Sequence, residues 1–410
     1  MIPKIIFNRE KKDWIKRPLL SNIEKILDYR GRTPKKLGLS WSDTGFLALS
    51  ALNVKNGYID FNADANYGDQ ELYERWMGDN HLHKGQVVFT TEAPMGNVAQ
   101  IPNDDLYILS QRTIAFEVKH DLIREDFLAT LLRSPKIFNE LTSLSSGGTA
   151  KGISQKSLSN LKVCLPTSLE EQSAIGSLFR TLDDLLSSYK DNLANYQSLK
   201  ATMLSKMFPK AGQTVPEIRL DGFEGEWEIK KFKSISTKRG KSNSKGYDYP
   251  AYSVSNQSGL IPQSEQFEGS RLGNLEKTSY KIVEPNEFAY NPARINVGSI
   301  AFNDLDETVI VSSLYVIFSL DKSINNNYAL LFINSPEFNK EVRRNTEGSV
   351  REYLFYENFA NIRIPIPPTF EEQCFIGSYF SNLDNLINSH QEKISQLETF
   401  KKKLLQDMFI

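Results

Sequence analysis

Cysteine is nearly absent, with Cys164 and Cys374 the only two in 410 residues. They fall at non-corresponding points of the repeats described below, which excludes a disulfide framework and a Cys-based metal site. Histidine is almost as scarce, at four residues. His81 and His83 alternate as two ligands on one strand face would, but no third ligand is near, and surface histidines are the simpler reading. An excess of one charge is missing too: 49 basic against 50 acidic residues give a net charge of -1. Any argument for nucleic acid must therefore rest on local clusters. No stretch approaches the ~18 apolar residues of a membrane span, and the start, MIPKIIFNREKKDW, carries charge where a signal peptide needs an apolar run. The expectation is a cytoplasmic protein with no membrane partner. At 40% hydrophobic and 24% charged residues, disorder is excluded, and the length suffices for two or three domains.

What is present is a tandem duplication. Residues 161–208 and 362–409 align without a gap, each residue of the second copy numbered 201 above its counterpart. Identities include Pro166/Pro367, Glu170/Glu371, Glu171/Glu372, Gln172/Gln373, Gly176/Gly377, Asp183/Asp384 and Met207-Phe208/Met408-Phe409. A twofold repeat most economically serves a two-part target.

Each copy opens as a helix. Thr167-Ser168 are candidate caps, Glu170-Glu171 place carboxylates in the first turn, and Pro166 stops the preceding strand. Apolar residues then recur in steps of four and three at Ile175, Phe179, Leu182, Leu186, Tyr189, Leu193, Tyr196, Met203 and Met207. The second copy repeats the seam from Ile376 to Met408, and both break it with a lysine, Lys200 and Lys401. This is a heptad pattern in which one seam lysine weakens the coiled coil but helps to select register. Each helix has room for about 40 residues, or ~60 Å at 1.5 Å per residue, and needs a partner. The other copy is the natural one, and a pair joined through a globular segment is antiparallel.

The two globular segments are rich in strand patterns such as Gly85–Phe89, Ile114–Val118 and Val309–Val311. They agree less than the helices do, yet landmarks recur in order. Trp14 answers Trp227, and Leu131–Pro135 answers the run ending at Pro336. Gly147–Lys151 answers Glu347–Arg351, and the basic turn Arg30–Lys36 answers Lys238–Ser242. A glycine between cationic side chains lets backbone approach a phosphate, and the recurrence of such a turn weighs against a merely solvated loop. Residues 209–226, rich in Pro and Gly, form the linker.

Catalytic motifs fail on inspection. Asn291-Pro292-Ala293-Arg294 begins like the motif by which amino-methyltransferases hold a flipped adenine, but lacks its second proline and stacking aromatic. Gly240-Lys241-Ser242 resembles the end of a phosphate-binding loop, yet Ile235 stands where the first glycine is required. Glu117-Val118-Lys119 and Glu228-Ile229-Lys230 match half of a nuclease site, a match that a chain this charged produces by chance. The Glu-Glu-Gln openings at Glu170, Glu171, Gln172 and Glu371, Glu372, Gln373 are helix starts or partner contacts, not acid/base pairs.

With the repeats in view, the chain resembles the specificity subunit of type I restriction-modification enzymes over essentially its whole length. The resemblance rests on the paired Pro-x-x-x-Glu-Glu-Gln plus long helix, on Thr91–Ala99 and Asn291–Ala301, and on the linker through Gly222–Trp227. The first half lacks the Pro-Glu-Ile-Arg lead of residues 216–219. The resemblance implies an α+β fold with two α/β target recognition domains, separated by two long helices in an antiparallel coiled coil with pseudo-two-fold symmetry. The expected division is 1–166 and 227–367 for the recognition domains, 167–208 and 368–410 for the helical regions, and 209–226 for the linker.

Each domain would read half of a bipartite double-stranded DNA target, the helix pair setting the spacer. Each helical region would bind one of two modification (methyltransferase) subunits, and restriction (translocase/nuclease) subunits would join them. This chain would be non-catalytic and bind no cofactor or metal itself, with S-adenosylmethionine, ATP and Mg belonging to its partners. Phosphate contacts are expected from Arg30, Arg32, Lys35 and Lys36 and from Lys238, Arg239, Lys241 and Lys245. Lys151, Arg294 and Arg351 are candidates for base readout. The residues alone leave open a single-chain nuclease or methyltransferase with duplicated DNA-binding domains. A purely structural coiled-coil scaffold leaves the two globular segments unexplained.

Overall fold

A computed structural model describes residues 14–146, 151–256, 259–266, 277–345 and 353–409. Arg351 and most of the two Gly-containing turns at 147–150 and 346–352 lie outside them. The chain divides into two compact units, Met1–Asp191 with Gln391–Ile410, and Asn192–His390. The division cuts both long helices, so each unit holds one globular segment, the first part of its own helix and part of the other.

In the first unit, Ile15–Pro18 pairs antiparallel with Lys162–Leu165, and Pro166 then ends the ladder. A four-stranded antiparallel sheet follows in the order Ile23–Asp28, Thr113–Val118, Val87–Thr90, Val98–Gln100. Every residue of Val87–Thr90 is buried, as an interior strand covered on both faces requires. The helices Glu125–Leu132 and Pro135–Leu144 complete the core, with Ser134 capping the second through its Oγ. A second core gathers Leu72, Tyr73, Trp76 and Leu109. It is organised by the three-stranded sheet Tyr67–Gly68, Phe46–Leu49, Ile108–Leu109 and the helix Gln70–Met77.

The second unit repeats the frame. Glu228–Lys231 pairs with Arg363–Ile366. Its four-stranded sheet has the same order, Ser236–Arg239, Val316–Leu320, Phe288–Tyr290, Ile300–Phe302. Its additional strands form two small pairs, Tyr252–Ser255 with Gly259–Pro262 and Lys281–Val283 with Val309–Val311.

The long helices span Leu169–Lys206 and Phe370–Met408. Ser168 Oγ accepts from the Glu171 amide at 3.2 Å and Thr369 Oγ1 from the Glu372 amide at 3.2 Å, so the caps fall where the sequence puts them. Within the first unit Asp183 faces Lys401 and Lys190 faces Glu398 at 2.7 Å. Numbers rise on one helix as they fall on the other, so the pair is antiparallel. The second unit shows the same, with Lys200 Nζ 2.5 Å from Asp384 Oδ1 and the rings of Tyr196 and His390 5.2 Å apart. The seam lysines are thus each matched to an aspartate, and the two pairs are repeat equivalents (183 and 384, 200 and 401). The helix ends are anchored by aromatic contacts: Phe409 lies 5.9 Å from Trp14, and its counterpart Phe208 6.4 Å from Trp227.

Candidate nucleic-acid interface

In the first unit the basic turn leaves the sheet after Asp28. Gly31 takes φ +82°, and Thr33 accepts from the Lys36 amide to start the 3₁₀ turn Pro34–Leu37. Arg30 lies against Asp28, with Nε 2.9 Å from both carboxylate oxygens, and its Nη1 donates to the Ile153 carbonyl at 3.1 Å. Burial pushes the Asp28 carboxyl up, but the hydrogen bonds and charge of Arg30 together with the bond from Gln155 hold the group below its ordinary value. Gln155 Nε2 donates to the same carboxylate at 2.7 Å. Arg30 therefore ties the basic turn to the segment containing Lys151, which is exposed. Arg32 donates to the Trp76 carbonyl and sits over the Tyr29 ring, 4.7 Å from its centroid. Lys36 Nζ donates to the Gly31 carbonyl at 2.6 Å, and Lys35 is exposed.

In the second unit Lys238 Nζ lies 2.7 Å from Glu357 Oε1 and 5.8 Å from the Tyr356 ring centroid. Both members of this ion pair are largely exposed, so solvent screens it and it holds Lys238 only weakly. Arg239 Nε donates to Ser319 Oγ at 3.1 Å and lies 3.7 Å from Glu287. Burial pushes the Glu287 carboxyl above its ordinary value. Lys238, Arg239 and Lys241 line one side of an open cleft of about 930 Å³. Lys245 and Arg294 are exposed, Arg294 just before the turn Ile295–Val297.

One backbone bond organises both sites. Ile153 N donates to the Thr91 carbonyl at 2.9 Å, and Leu354 N to the Pro292 carbonyl at 2.9 Å. Donors and acceptors alike differ by 201 in number. In each unit this bond seats the segment after the Gly-containing turn beside the Thr91–Ala99 or Asn291–Ala301 segment. The side chain in the middle of the seated strip, Ile153 or Leu354, is buried. Its neighbours are Gly152 and Ser154 in the first unit, Tyr353 and Phe355 in the second. Tyr353 and Phe355 are 43% and 54% exposed, with rings 5.9 Å apart and inclined by 9°. Little in the sequence marks them, because their alternation around Leu354 is short and most of the chain's Tyr and Phe residues suit a core.

The Glu-Glu-Gln residues divide sharply. Gln172 is fully buried; its Oε1 accepts from the Arg124 amide at 2.9 Å and its Nε2 donates to the Leu122 and Pro166 carbonyls. Gln373 repeats this, accepting from the Asn325 amide at 2.9 Å and donating to the Ser323 carbonyl at 3.2 Å. Both carboxamides are used inside their own units and offer a partner no surface, which corrects the expectation that they are partner contacts. The physical reason is that each satisfies backbone groups at the start of a packed helix. Glu372 is likewise buried, held bidentately by Arg219 at 2.7 and 2.8 Å. Its counterpart Glu171 is half-buried and accepts from the Trp14 indole at 3.3 Å. Glu170 and Glu371 are exposed.

The family model described as the type I restriction modification DNA specificity domain matches twice, over residues 30–195 and 224–399. Among curated relatives, the type I restriction enzyme MjaVIII specificity subunit of Methanocaldococcus jannaschii is 24% identical, covering 73% of this chain and 72% of its own. The MjaIX specificity subunit of the same organism is 22% identical over 82% and 80% of the two chains. The crystal structure of the S subunit of a type I restriction-modification system from M. genitalium superposes with a TM-score of 0.63 at 15% identity, covering 100% of this chain and 99% of that one. At that identity the likeness concerns the fold. Among the described residues no helix is long and apolar enough to cross a membrane.

Proposed function

The chain belongs to the type I restriction-modification DNA specificity family, with two copies of its domain, and from that premise we propose that each unit reads one half of a bipartite double-stranded DNA target. The observation that carries this reading is the pairing of an unchanged frame with changed surfaces. The strip at Ile153 and Leu354 is seated by the same bond in both units, while the residues flanking it differ. Lys35, Lys238, Lys241 and Lys245 take phosphates, with Arg239 beside them. Arg30, Arg32 and Lys36 shape the first turn through their own contacts and add charge to it. Lys151, Arg294 and Arg351 face bases.

The helix pair holds the two reading units a set distance apart and carries the modification subunits. Recurrent exposed apolar positions outside the seam support that docking role: Leu185 and Leu386 at 40% and 41% exposure, Leu199 and Phe400 at 37% and 50%. Within each helix the two lie 14 residues apart, two heptads, and so fall on one stripe. Exposed Glu170 and Glu371 at the helix starts add polar contacts for the same partners. Methyl donor, ATP and magnesium act on the partners, and this chain contributes recognition, in the cytoplasm.

Two experiments test the proposal. Purified chain incubated with DNA and methyl donor, or with DNA and magnesium, is expected to be inert. Methylation by the isolated chain would instead favour a single-chain modifying enzyme. Inserting one heptad into a long helix is expected to change the spacer between half-sites and leave both half-sites intact. An unchanged methylated site in that variant would refute the spacing role.

A further inference from the structure

The side chains of Tyr353 and Phe355 are exposed and stack on each other, while the Phe355 carbonyl accepts from the Asn358 and Phe359 amides at 3.1 and 3.0 Å. Leu354 between them is fully buried and fixes the strip, through its amide on Pro292 and through its carbonyl, which accepts from Tyr290 Oη at 3.0 Å. With the middle residue pinned, an extended strip sends both neighbours to the opposite side. Their rings lie nearly parallel, stacked with centroids 5.9 Å apart, and together make an exposed aromatic plate. Exposed aromatic surface of this kind, next to a buried and hydrogen-bonded Leu354, marks an interaction site.

Charge around the plate points to nucleic acid rather than protein. Arg294 stands two residues beyond the Pro292 carbonyl that anchors the strip, and it is exposed. On the other flank Lys238 reaches Glu357, two residues beyond Phe355. Exposed aromatic rings with cationic residues close in the chain suit bases flanked by phosphates. The first unit carries Gly152 and Ser154 at the two plate positions, with the same pinning bond. There the strip lies low, and a Cβ on Gly152 would touch Glu92 at 3.4 Å.

We infer that Tyr353 and Phe355 are specificity-determining residues of the second unit, packing against bases of one half-site, and that the first unit reads its half-site without such a plate. This rests on the proposed reading of two half-sites by two units. The pair carries no charge, so its effect is expected through ring contacts with bases and not through ion pairs with phosphates.

The test uses the full chain assembled with its modification subunits, methylating DNA libraries in which one half-site at a time is randomised. The variant is Tyr353→Gly with Phe355→Ser, which installs the residues of the first unit and leaves Leu354 in place. A second variant, Leu185→Ser in the docking stripe, serves as a control for assembly. The plate variant is expected to lower discrimination about ten-fold or more at one half-site and to leave the other within two-fold. Its thermal unfolding and assembly are expected to match the parent, because the replaced side chains are exposed. Unchanged discrimination at both half-sites, or an equal loss at both, would overturn the inference while leaving the bipartite reading intact. If the parent complex itself shows no bipartite preference, the failure belongs to the proposed function.

Discussion

The two units solve one folding problem in the same way and differ in how each frame is elaborated. Between Gly85 and the first long helix, residues of the second unit are found mostly by adding 201. Gly85 and Asn286 both take positive φ at the start of the same strand, and Gln172 and Gln373 bond the same two backbone sites. Upstream the register is lost: residues 14–85 are answered by 227–286, a span 12 residues shorter (71 steps against 59). There the first unit builds a second core around Trp76, and the second makes do with a small cluster around Val283 and Val309. The frame is constrained because its contacts involve backbone groups and close approaches that few residues satisfy. The elaborations need only pack on themselves and are free to change.

That comparison can be broken most forcefully at the buried carboxylates. Arg219→Ala would leave Glu372 buried without a partner and is expected to cost about 3–5 kcal/mol. Glu171→Ala removes only the bond from Trp14 and should cost about 1 kcal/mol. Chemical denaturation of the full chain measures both, and equal costs would mean that the two helix starts are energetically alike after all.

A smaller difference is expected at the shared glycines. A Cβ on Gly176 would meet Asp126 Cβ at 2.4 Å and the adjoining backbone at 2.9 Å, whereas on Gly377 the nearest atom is Asn327 Cβ at 3.1 Å. Gly176→Ala should therefore cost about 1–3 kcal/mol through overpacking. Gly377→Ala should come out near zero, because a gain of up to about 1 kcal/mol in helix propensity offsets the milder contact. Thermal melts of the two variants give the ranking, and a larger loss for Gly377→Ala would reverse it.

The smallest effect belongs to the seam lysines. Burial, then Arg133, pull the Lys401 pKa below its ordinary value despite Asp183, and Asp183 keeps Arg133 at 2.6 Å when Lys401 is gone. Lys401→Met is expected to be nearly neutral, whereas Lys200→Met strips Asp384 of its lysine and should cost up to about 1 kcal/mol. Between the lowered folded pKa and the unfolded value of 10.5 the unfolded state binds the extra proton. The parent should thus gain stability over Lys401→Met as pH rises through that window. A relative loss there would contradict the burial account.

Much of this was legible in the sequence. The helix starts, the heptad seam and its lysine interruptions, and the strand at Val309–Val311 all lie where the residue pattern puts them. The frame's register was visible in the helices but not upstream, since Thr90-Thr91-Glu92 and Asn291-Pro292-Ala293 share no residue although they occupy the same turn. The aspartates facing the seam lysines were hidden because a pairing between helices has no fixed sequence distance. Arg30 looked like a free cation. Its partner Asp28 is only two residues away, and the contact is local, Asp28 Oδ1 accepting from the Arg30 amide at 3.0 Å as well as from its Nε at 2.9 Å.

The most direct measurement is to replace residues 227–367 by the corresponding segment of a foreign specificity subunit and map methylated sites in cells carrying the chimera. One half-site should change, while the other half-site and the spacer stay as they were. A target that changes in both halves, or in neither, would contradict the account of two independent readers on one shared frame.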